Sequence, residues 1–361
     1  MNKNFYAIIM AGGIGSRFWP ISRTSYPKQF IDILGTGKTL IQSTFDRFLK
    51  IVPKENIYIV TNEIYVELVK EQLPEIGAQQ ILAEPIMRNT APCIAYASHK
   101  ISKLNPDAAF VVAPSDHLIL NPEGFVADIT RSLETATNNN CLITLGIKPS
   151  RADTGYGYIQ YTTDSIENDF HKVKTFTEKP NTELARTFIQ SGDFLWNAGI
   201  FVWSAKAILH AFENHLPDMN DVFKDGSEVF NTEEEHNFIQ SAYYQCTNIS
   251  IDYGIMEKAD NVYVLPTDFG WSDLGTWASI YSLGEKDYVG NVVIPSEKVI
   301  MYDSSNCMVN VPENKLVILQ GLHDYIVVES NNTLLICRKD QEQSVKHIVA
   351  EVKSRFGPEY I

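Results

Sequence analysis

Residues 5–17 read FYAIIMAGGIGSR, and this stretch decides the fold. Phe5–Met10 is a short apolar run, which predicts a strand. Glycines follow at positions 12, 13 and 15, and glycine allows backbone N–H groups to approach a phosphate closely. The stretch therefore predicts a strand that leads into an anion-binding loop.

Strand and helix patterns alternate after this loop. Because strands that alternate with helices form sheets with crossover connections, the pattern predicts an α/β fold with a doubly wound, mostly parallel sheet. The further predicted strands are 57–61, 80–83, 110–113, 142–147, 156–161, 172–177 and 199–203. The predicted helices are 40–51, 63–73, 92–104, 125–138, 181–191 and 205–215, and an acidic stretch at 218–236 is expected to form a solvated loop and helix face.

The pattern of apolar and turn-forming residues changes from Asn291 onward. Short apolar runs recur at regular intervals, separated by glycine, asparagine and aspartate, which predicts a small β-rich C-terminal domain. A helical pattern over 341–355 closes it. The boundary is expected near residue 285, giving domains at 1–285 and 286–361. The predicted strands of the second domain are 292–294, 299–302, 316–319, 325–328 and 334–337.

Charge and composition exclude several classes of protein. The 361 residues carry a net charge of −14 at pH 7, whereas nucleic-acid binders use basic surface. No apolar run approaches the roughly 18 residues of a membrane span, and five scattered cysteines favour reduced thiols, so we expect a cytoplasmic protein. Residues 1–31 hold four basic and no acidic side chains, which indicates a local anion site.

The glycine loop admits three interpretations. A dinucleotide fingerprint needs a further glycine where Phe18 stands, and a helix that two prolines would interrupt. A Walker loop ending at 37–39 lacks its first glycine. The third interpretation is a long phosphate-binding loop from Gly12 through Lys28.

Further motifs follow this loop in a fixed order. They are AGGIGSRFWPISR at 11–23, PKQF at 27–30, EPIMRNTAP at 84–92, PSDH at 114–117, TGYGYI at 154–159, FTEKP at 176–180, WNAGIF at 196–201, IDYGIME at 251–257 and WSDLG at 271–275. Together they resemble the signature of the sugar-1-phosphate nucleotidyltransferases, which have a Rossmann-like nucleotide-diphospho-sugar transferase fold. The FWP and PKQF details resemble the mannose-1-phosphate guanylyltransferase branch. Met87 and Thr177 depart from the residues common there, but neither departure removes a charge.

The resemblance implies that a sugar 1-phosphate attacks the α-phosphorus of a nucleoside triphosphate in line and releases pyrophosphate. The attacking oxygen is already ionised, so catalysis must depend on positioning and charge neutralisation. Arg17 and Lys28 match the family positions that hold the triphosphate and the leaving group. The loop residues expected to bind the nucleotide are Ala11, Gly12, Gly13 and Gly15.

Asp116 and Asp273 match the family's metal ligands. Asp116 follows a predicted strand at the end where α/β sheets place ligands, and it is also expected to contact the nucleotide. Two carboxylates from distant strands suit Mg²⁺, which takes its remaining ligands from phosphate and water. An aspartate alone is more often a helix cap, and Asp273 lies shortly before a helical pattern.

The resemblance also implies a base site and a sugar site. Glu84 is the candidate for recognising guanine, since a carboxylate accepts hydrogen bonds from both N1–H and N2–H₂ of that base. Asn89 is expected to contact the nucleotide. The alternative is that Glu84 holds its loop and that Asn89 caps the following helix. The expected sugar-phosphate ligands are Gly157, Glu178, Lys179, Asn197 and Asp252.

The resemblance therefore implies a magnesium-dependent enzyme that transfers GMP from GTP to mannose 1-phosphate, giving GDP-mannose and pyrophosphate. One alternative is the same chemistry with another hexose 1-phosphate or base. The other is a catalytically silent nucleotide-sugar-binding regulatory protein. Neither nucleic acid nor membrane is an expected partner. The β-rich domain is expected to serve assembly, with a homodimer as the product, or to pack over the site.

Overall fold

A computed structural model of the chain describes residues 1–167, 169–295 and 297–361. Within these ranges no helix has both the length and the apolar character needed to cross a membrane. The strands are β1 (Phe5–Met10), β2 (Ile57–Asn62), β3 (Ile81–Glu84), β4 (Ala109–Pro114), β5 (Leu118–Ile119), β6 (Leu142–Ile147), β7 (Gly157–Ile166), β8 (Phe170–Glu178), β9 (Phe194–Ser204), β10 (Val262–Thr267), β11 (Trp271–Ser272), β12 (Val292–Ile294), β13 (Val299–Tyr302), β14 (Met308–Asn310), β15 (Val317–Gln320), β16 (Tyr325–Ser330) and β17 (Thr333–Arg338). The α-helices are α1 (Leu40–Phe48), α2 (Val66–Gln72), α3 (Thr90–Leu104), α4 (Pro122–Asn138), α5 (Thr182–Ser191), α6 (Ala205–His215), α7 (Pro217–Asp225), α8 (Glu235–Gln245), α9 (Trp277–Leu283) and α10 (Val345–Phe356).

The described residues fold into two compact units, and neither unit is one continuous segment. Unit 1 consists of Met1–Gly12, Thr44–Ser115 and Ile119–Trp271. Unit 2 consists of Gly13–Ser43, Asp116–Leu118 and Ser272–Ile361. Most of the phosphate-binding loop expected from the sequence therefore folds with the C-terminal residues. The domain boundary near residue 285 stays a prediction, because unit 2 takes segments from both sides of it.

Unit 1 is built on a sheet with the strand order β3-β2-β1-β4-β9-β6-β10-β8-β7 in the described residues. Strand β1 pairs in parallel with β2 and β4, and Met10 lies opposite Pro114. The segments that begin at Ala11 and Ser115 therefore leave the sheet at the same edge. Side chains on both faces of β1, β2 and β4 are buried, which explains why these strands are continuous apolar runs in the sequence.

The predicted α/β fold class is confirmed, and the sheet is mixed in its second half. Strand β9 begins at Phe194 rather than at 199 and runs antiparallel to both β4 and β6. An apolar run carries no information on strand direction, which depends on how the chain returns to the sheet. Strand β10 and helix α8 have no counterpart among the predicted elements, and α7 lies in the acidic stretch that was expected to form a solvated loop and helix face.

The C-terminal part of unit 2 forms parallel ladders. Strands β12, β14 and β16 pair in parallel in chain order, and β13 pairs in parallel with β15. Strand β17 closes the first ladder by antiparallel pairing with β16. The predicted β-rich region and its closing helix are both present. The helix begins at Val345, after a 3-10 turn at Lys339–Ser344, rather than at 341.

The core of unit 2 includes a residue of the predicted phosphate-binding loop. Phe18 is buried and packs edge to face on Trp277, with 5.1 Å between the ring centroids. The same cluster contains Leu274, Met308 and Ile326. Because Phe18 follows Arg17 directly, this packing fixes the backbone of the basic loop against the C-terminal strands.

Candidate active site

Unit 2 contains a polar cavity of about 290 Å³. The side chains of Arg17 and Lys28 line it together with those of Asp116 and Asp273. The remaining lining residues are Gly15, Ser16, Phe18, His117, Gly275 and Lys346. Four candidate residues from three distant parts of the sequence thus meet at one cavity that combines cations and carboxylates.

Gly15 allows Lys28 to reach the cavity. Its backbone is left-handed, with φ of 71°, and a Cβ atom at this position would lie 2.5 Å from Cβ of Lys28. The backbone N–H of Lys28 donates to the carbonyl of Ile14 at 3.3 Å, and the Ser22 hydroxyl donates to the same carbonyl at 2.5 Å. The glycine therefore accommodates both the turn and the close approach of the lysine stem.

Lys28 is 4% exposed, and acceptors of the protein engage its ammonium group. Nζ donates to the carbonyls of Asp273 and Leu274, each at 2.9 Å, and lies 2.8 Å from Oδ2 of Asp116. An ammonium group has three N–H donors, so these contacts use all of them. Lys28 thereby ties the Asp116 carboxylate to the backbone at 273–274.

The two candidate metal ligands differ in their surroundings. Burial acts to raise the pKa of Asp116, but the charges of Lys28 and His117 outweigh it and hold that pKa below its ordinary value. Oδ1 of Asp273 accepts the backbone N–H of Gly275 at 2.9 Å. The next helix, α9, has its N-cap at Thr276, so Asp273 is not the cap of that helix.

The cavity fits a divalent cation that takes two protein carboxylates. Asp116 and Asp273 both line it, and carboxylate oxygens are the protein ligands that such a cation prefers. Clusters of three or more histidine, cysteine, aspartate or glutamate side chains suited to a metal are absent from the described residues. An ion here would need phosphate or water as further ligands, and Mg²⁺ usually completes its coordination in this way.

Arg17 is held by a second glycine. One N–H of its guanidinium donates to the carbonyl of Gly275 at 2.9 Å. A Cβ at Gly275 would lie 2.5 Å from Oδ2 of Asp273 and 3.0 Å from a guanidinium nitrogen of Arg17. Gly275 therefore leaves room for both charged groups, and its place in the WSDLG motif is the signal that could have identified it.

Helix α10 supplies a residue of the cavity that sequence reasoning missed. Lys346, in the first turn of α10, lines the cavity, and the helix packs on Trp19 through Val345 and Val349. The indole N–H of Trp19 donates to the carbonyl of Tyr360 at 2.7 Å. The sequence predicted a helix in this region but contained no motif that singled out Lys346.

Unit 1 brings the predicted sugar-phosphate ligands together. Gly157 lies opposite Glu178 in the pairing of β7 with β8, and a Cβ at Gly157 would lie 2.5 Å from Oε2 of Glu178 and 3.3 Å from Cβ of Asn197. The Asn197 amide donates to Oδ1 of Asp252 at 2.8 Å. Nζ of Lys179 lies 2.5 Å from Oε1 of Glu178. Carboxylates, an amide and an ammonium group in one cluster suit a ligand with several hydroxyls and a phosphate.

Asp252 begins a five-residue π-helix, Asp252–Met256, a rare turn that often marks functional sites. Burial raises the pKa of Asp252 to about 6, and the charge of Glu178 adds to the rise, against the hydrogen bond from Asn197. The cluster therefore holds two carboxylates whose mutual repulsion a hydrogen-bonding or cationic ligand would relieve.

Glu84 lies at the end of β3 with only 5% of its surface exposed. Oε1 accepts the hydroxyl of Tyr243 at 3.0 Å, and a Cβ at Gly12 would lie 3.7 Å from Oε2. Burial raises the pKa of Glu84 to about 7, and the hydrogen bond from Tyr243 opposes the rise. Tyr243 lies on α8, which the sequence did not predict, so this partner was missed.

The remaining candidates in the two units have simpler environments. Asn89 is the N-cap of α3, and its side chain accepts the backbone N–H of Thr90 at 3.0 Å, so the capping role considered for it is present. The backbone N–H of Ala11 donates to the carbonyl of Val60 at 2.7 Å, which extends the pairing of β1 with β2. Apart from Gly13 and its two chain neighbours, no described residue has an atom within 4 Å of a Cβ placed on Gly13.

Comparison with protein families gives two matches along the chain. The sequence model of the family described as Nucleotidyl transferase matches residues 6–288. The model described as MannoseP isomerase/GMP-like beta-helix domain matches residues 297–352, which hold most of the parallel ladders of unit 2.

Individual proteins are similar to nearly the whole chain. A mannose-1-phosphate guanylyltransferase of Escherichia coli is 34% identical over 359 aligned positions, which cover 97% of this chain and 76% of that protein. Alginate biosynthesis protein AlgA of Pseudomonas aeruginosa is 36% identical over 352 positions, which cover 96% and 72%. A crystal structure from Thermus thermophilus, described as that of a mannose-1-phosphate geranyltransferase, superposes with a TM-score of 0.86 at 28% identity, covering 97% of this chain and 99% of that one.

Proposed function

This chain belongs to the nucleotidyl transferase family, among its mannose-1-phosphate guanylyltransferases, and from that premise we propose that it transfers GMP from GTP to mannose 1-phosphate. The products are GDP-mannose and pyrophosphate. The observation that carries the proposal is the cavity where Arg17, Lys28, Asp116 and Asp273 meet. Its cations suit a triphosphate, and its two carboxylates suit the metal that accompanies one.

The reaction is a displacement at the α-phosphorus. A phosphate oxygen of mannose 1-phosphate forms the new O–P bond, the bond from the α-phosphorus to the bridging oxygen breaks, and pyrophosphate leaves with that electron pair. The attacking oxygen is already ionised, so no side chain has to remove a proton. The chain's task is to align the two phosphates and to neutralise the charge that grows on pyrophosphate.

Arg17 and Lys28 are the cations assigned to that charge. Arg17 has one N–H committed to the carbonyl of Gly275, which leaves guanidinium donors to bind phosphate oxygens. Lys28 is committed to Asp116 and to backbone carbonyls, so it has to exchange one of these partners to contact a phosphate. Until then it holds Asp116 in position.

Nucleotidyl transferases generally use a divalent metal ion, and the ion proposed here is Mg²⁺, held by Asp116 and Asp273. When bound, the ion supplies positive charge at the phosphates. The carboxylates are fixed for this role by protein contacts, Asp116 by Lys28 and Asp273 by the N–H of Gly275.

The cluster in unit 1 is assigned to the sugar. Glu178, Asn197 and Asp252 offer acceptors and donors for hydroxyl groups, and Lys179 offers a cation for the sugar phosphate. Gly157 leaves room for the Glu178 carboxylate, because a Cβ there would lie 2.5 Å from its Oε2. Glu84 is assigned to guanine recognition, with Asn89 at the head of α3 as a further nucleotide contact, while Ala11 and the loop glycines provide backbone groups. The cytoplasmic location and the homodimer expected from the sequence remain parts of this proposal.

A pyrophosphate-release assay over a panel of nucleoside triphosphates and hexose 1-phosphates tests the function. We expect the highest kcat/KM with GTP and mannose 1-phosphate. Turnover only with UTP or dTTP and glucose 1-phosphate would refute the specificity and leave the reaction class intact. Tight binding of nucleotide sugars with no turnover for any pair would instead identify a regulatory protein.

A further inference from the structure

A third cation, Lys346, lines the polar cavity of unit 2 besides Arg17 and Lys28. This cavity is called the phosphate cavity below, after the ligand proposed for it. Lys346 is the second residue of α10, the closing helix of the C-terminal region. Its position in the first helical turn adds the partial positive charge of the helix N-terminus to its own ammonium charge. The cations that line the cavity therefore come from the N-terminal loop, which contains Arg17 and Lys28, and from the C-terminal helix, which contains Lys346.

The three cations differ in how many donors remain for a ligand. The ammonium of Lys28 has all its N–H groups directed at protein acceptors. Arg17 has one contact, to the carbonyl of Gly275. Within the described residues the side chain of Lys346 has neither an ion pair nor a hydrogen bond. Among these three cations, Lys346 and Arg17 thus keep N–H donors that protein acceptors do not engage.

The position of α10 is set by contacts with the segment that contains Arg17. Val345, Val349 and Val352 pack with Trp19, and the Trp19 indole donates to the carbonyl of Tyr360 at 2.7 Å. The guanidinium of Arg23 donates to the carbonyl of Glu359 at 3.1 Å. A helix held in this way keeps Lys346 at the cavity without a contact of its own side chain.

We propose that Lys346 binds the pyrophosphate portion of the nucleoside triphosphate, so that the C-terminal helix completes the phosphate site. The identity of the ligand rests on the proposed function, whereas the assignment of Lys346 rests on its place in the cavity. A long flexible ammonium side chain suits a ligand whose terminal phosphates enter and leave in each turnover. Lys346 lies outside residues 5–285, so none of the sequence motifs in that range indicates its contact with the ligand.

Calorimetric titration of the full chain with pyrophosphate and Mg²⁺ tests the assignment. Lys346→Gln should weaken pyrophosphate binding about fivefold to tenfold, where tenfold corresponds to about 1.4 kcal/mol. It should raise the KM for GTP by a similar factor and leave the KM for mannose 1-phosphate unchanged. Lys346→Arg should retain most of the affinity. The matched control is Lys353→Gln, which removes the same charge from an exposed position of the same helix outside the cavity lining.

The outcomes separate this inference from the proposed function. Wild-type affinity in Lys346→Gln, or an equal loss in Lys353→Gln, would overturn the role of Lys346 even if the enzyme makes GDP-mannose. Failure of the wild-type chain to bind pyrophosphate would overturn it as well. Binding that depends on Lys346, in a chain that turns over no GTP with mannose 1-phosphate, would support the inference and refute the proposed function.

Discussion

Replacing Glu84 by glutamine should stabilise the folded protein at pH 8 and leave its stability nearly unchanged near pH 4.5. Glu84 is 5% exposed, and the hydroxyl of Tyr243 donates to its carboxyl group at 3.0 Å. Burial raises its pKa from 4.5 to about 7. Glutamine keeps an acceptor for the Tyr243 hydroxyl and removes the buried charge.

The sign and the size of the effect follow from the raised pKa. The folded state holds the Glu84 proton more tightly than the unfolded state, so stability falls as the pH rises from 4.5 towards 7 and stays lower above it. At roughly 1.36 kcal/mol per pH unit, the rise in pKa corresponds to about 3 kcal/mol at pH 8. That figure is the upper limit of the stabilisation, because burying the amide has a cost of its own.

Urea unfolding of both proteins between pH 4.5 and pH 8 measures the difference. We expect the difference in unfolding free energy between Glu84→Gln and wild type to grow between pH 4.5 and pH 7. Above pH 7 the difference should stay nearly constant. Glu71→Gln, at an exposed position on α2, is the control and should show no such gap. A difference between wild type and Glu84→Gln that is constant with pH would refute the buried-charge explanation.

The same variant decides the function of Glu84. If the carboxylate accepts hydrogen bonds from guanine, wild-type kcat/KM for GTP should fall as the pH drops below about 7, since the protonated group offers fewer acceptors. Glu84→Gln should lose both this pH dependence and the preference for GTP over ATP. Unchanged preference would mean that Glu84 only holds its loop.

Three further tests concern the phosphate cavity. Gly15→Ala should cost about 1–2 kcal/mol for its left-handed backbone and lower kcat, because the new Cβ displaces Lys28. Urea unfolding and kinetics check this, with Gly321→Ala as the matched control, because Gly321 has a φ of 73° and a Cβ there would contact nothing. Lys28→Ala should lower kcat far more than it raises the KM for mannose 1-phosphate, and near wild-type kcat would contradict the assignment. Asp116→Asn and Asp273→Asn should each raise the Mg²⁺ concentration for half-maximal rate, and the double variant should be little worse than the worse single. Additive losses with unchanged Mg²⁺ dependence would place the ion elsewhere.

The first half of the fold was predictable because its signals are local. Strands β1, β2 and β4 are apolar on both faces, and amphipathic helices separate them, so composition alone reveals them. Strand β9 was predicted to begin at 199 instead of 194 because its first half contains Asn197, a polar side chain that hydrogen-bonds to Asp252. The acidic stretch 218–236 was expected to be a solvated loop and helix face because most of its side chains are polar or charged. In α7, however, Met219 and Phe223 bury one helical face, and two apolar side chains among many charges are a weak signal.

The motifs identified most of the residues that line the cavity of unit 2, Lys346 excepted, but not their contacts. Gly15, Lys28, Asp116 and Asp273 stand in motifs, and all four line the cavity. The acceptors that engage Lys28 are mostly backbone carbonyls, which every residue possesses, so no residue type signals them. Such contacts depend on chain segments some 245 positions apart in the sequence.

The division of the chain into units explains why catalysis should depend on residues far outside the catalytic motifs. The loop from Gly13 to Ser43 folds with the C-terminal residues rather than with the strand that precedes it. Trp19 and the carbonyl of Tyr360 are joined by a hydrogen bond across 341 positions of sequence, and Arg23 donates to the carbonyls of Glu359 and Ser330. A cation that must meet growing charge within a few tenths of an ångström needs a rigid support. In this chain the support of Arg17 is the C-terminal region, and that region is therefore part of the proposed phosphate site rather than an appendage to it.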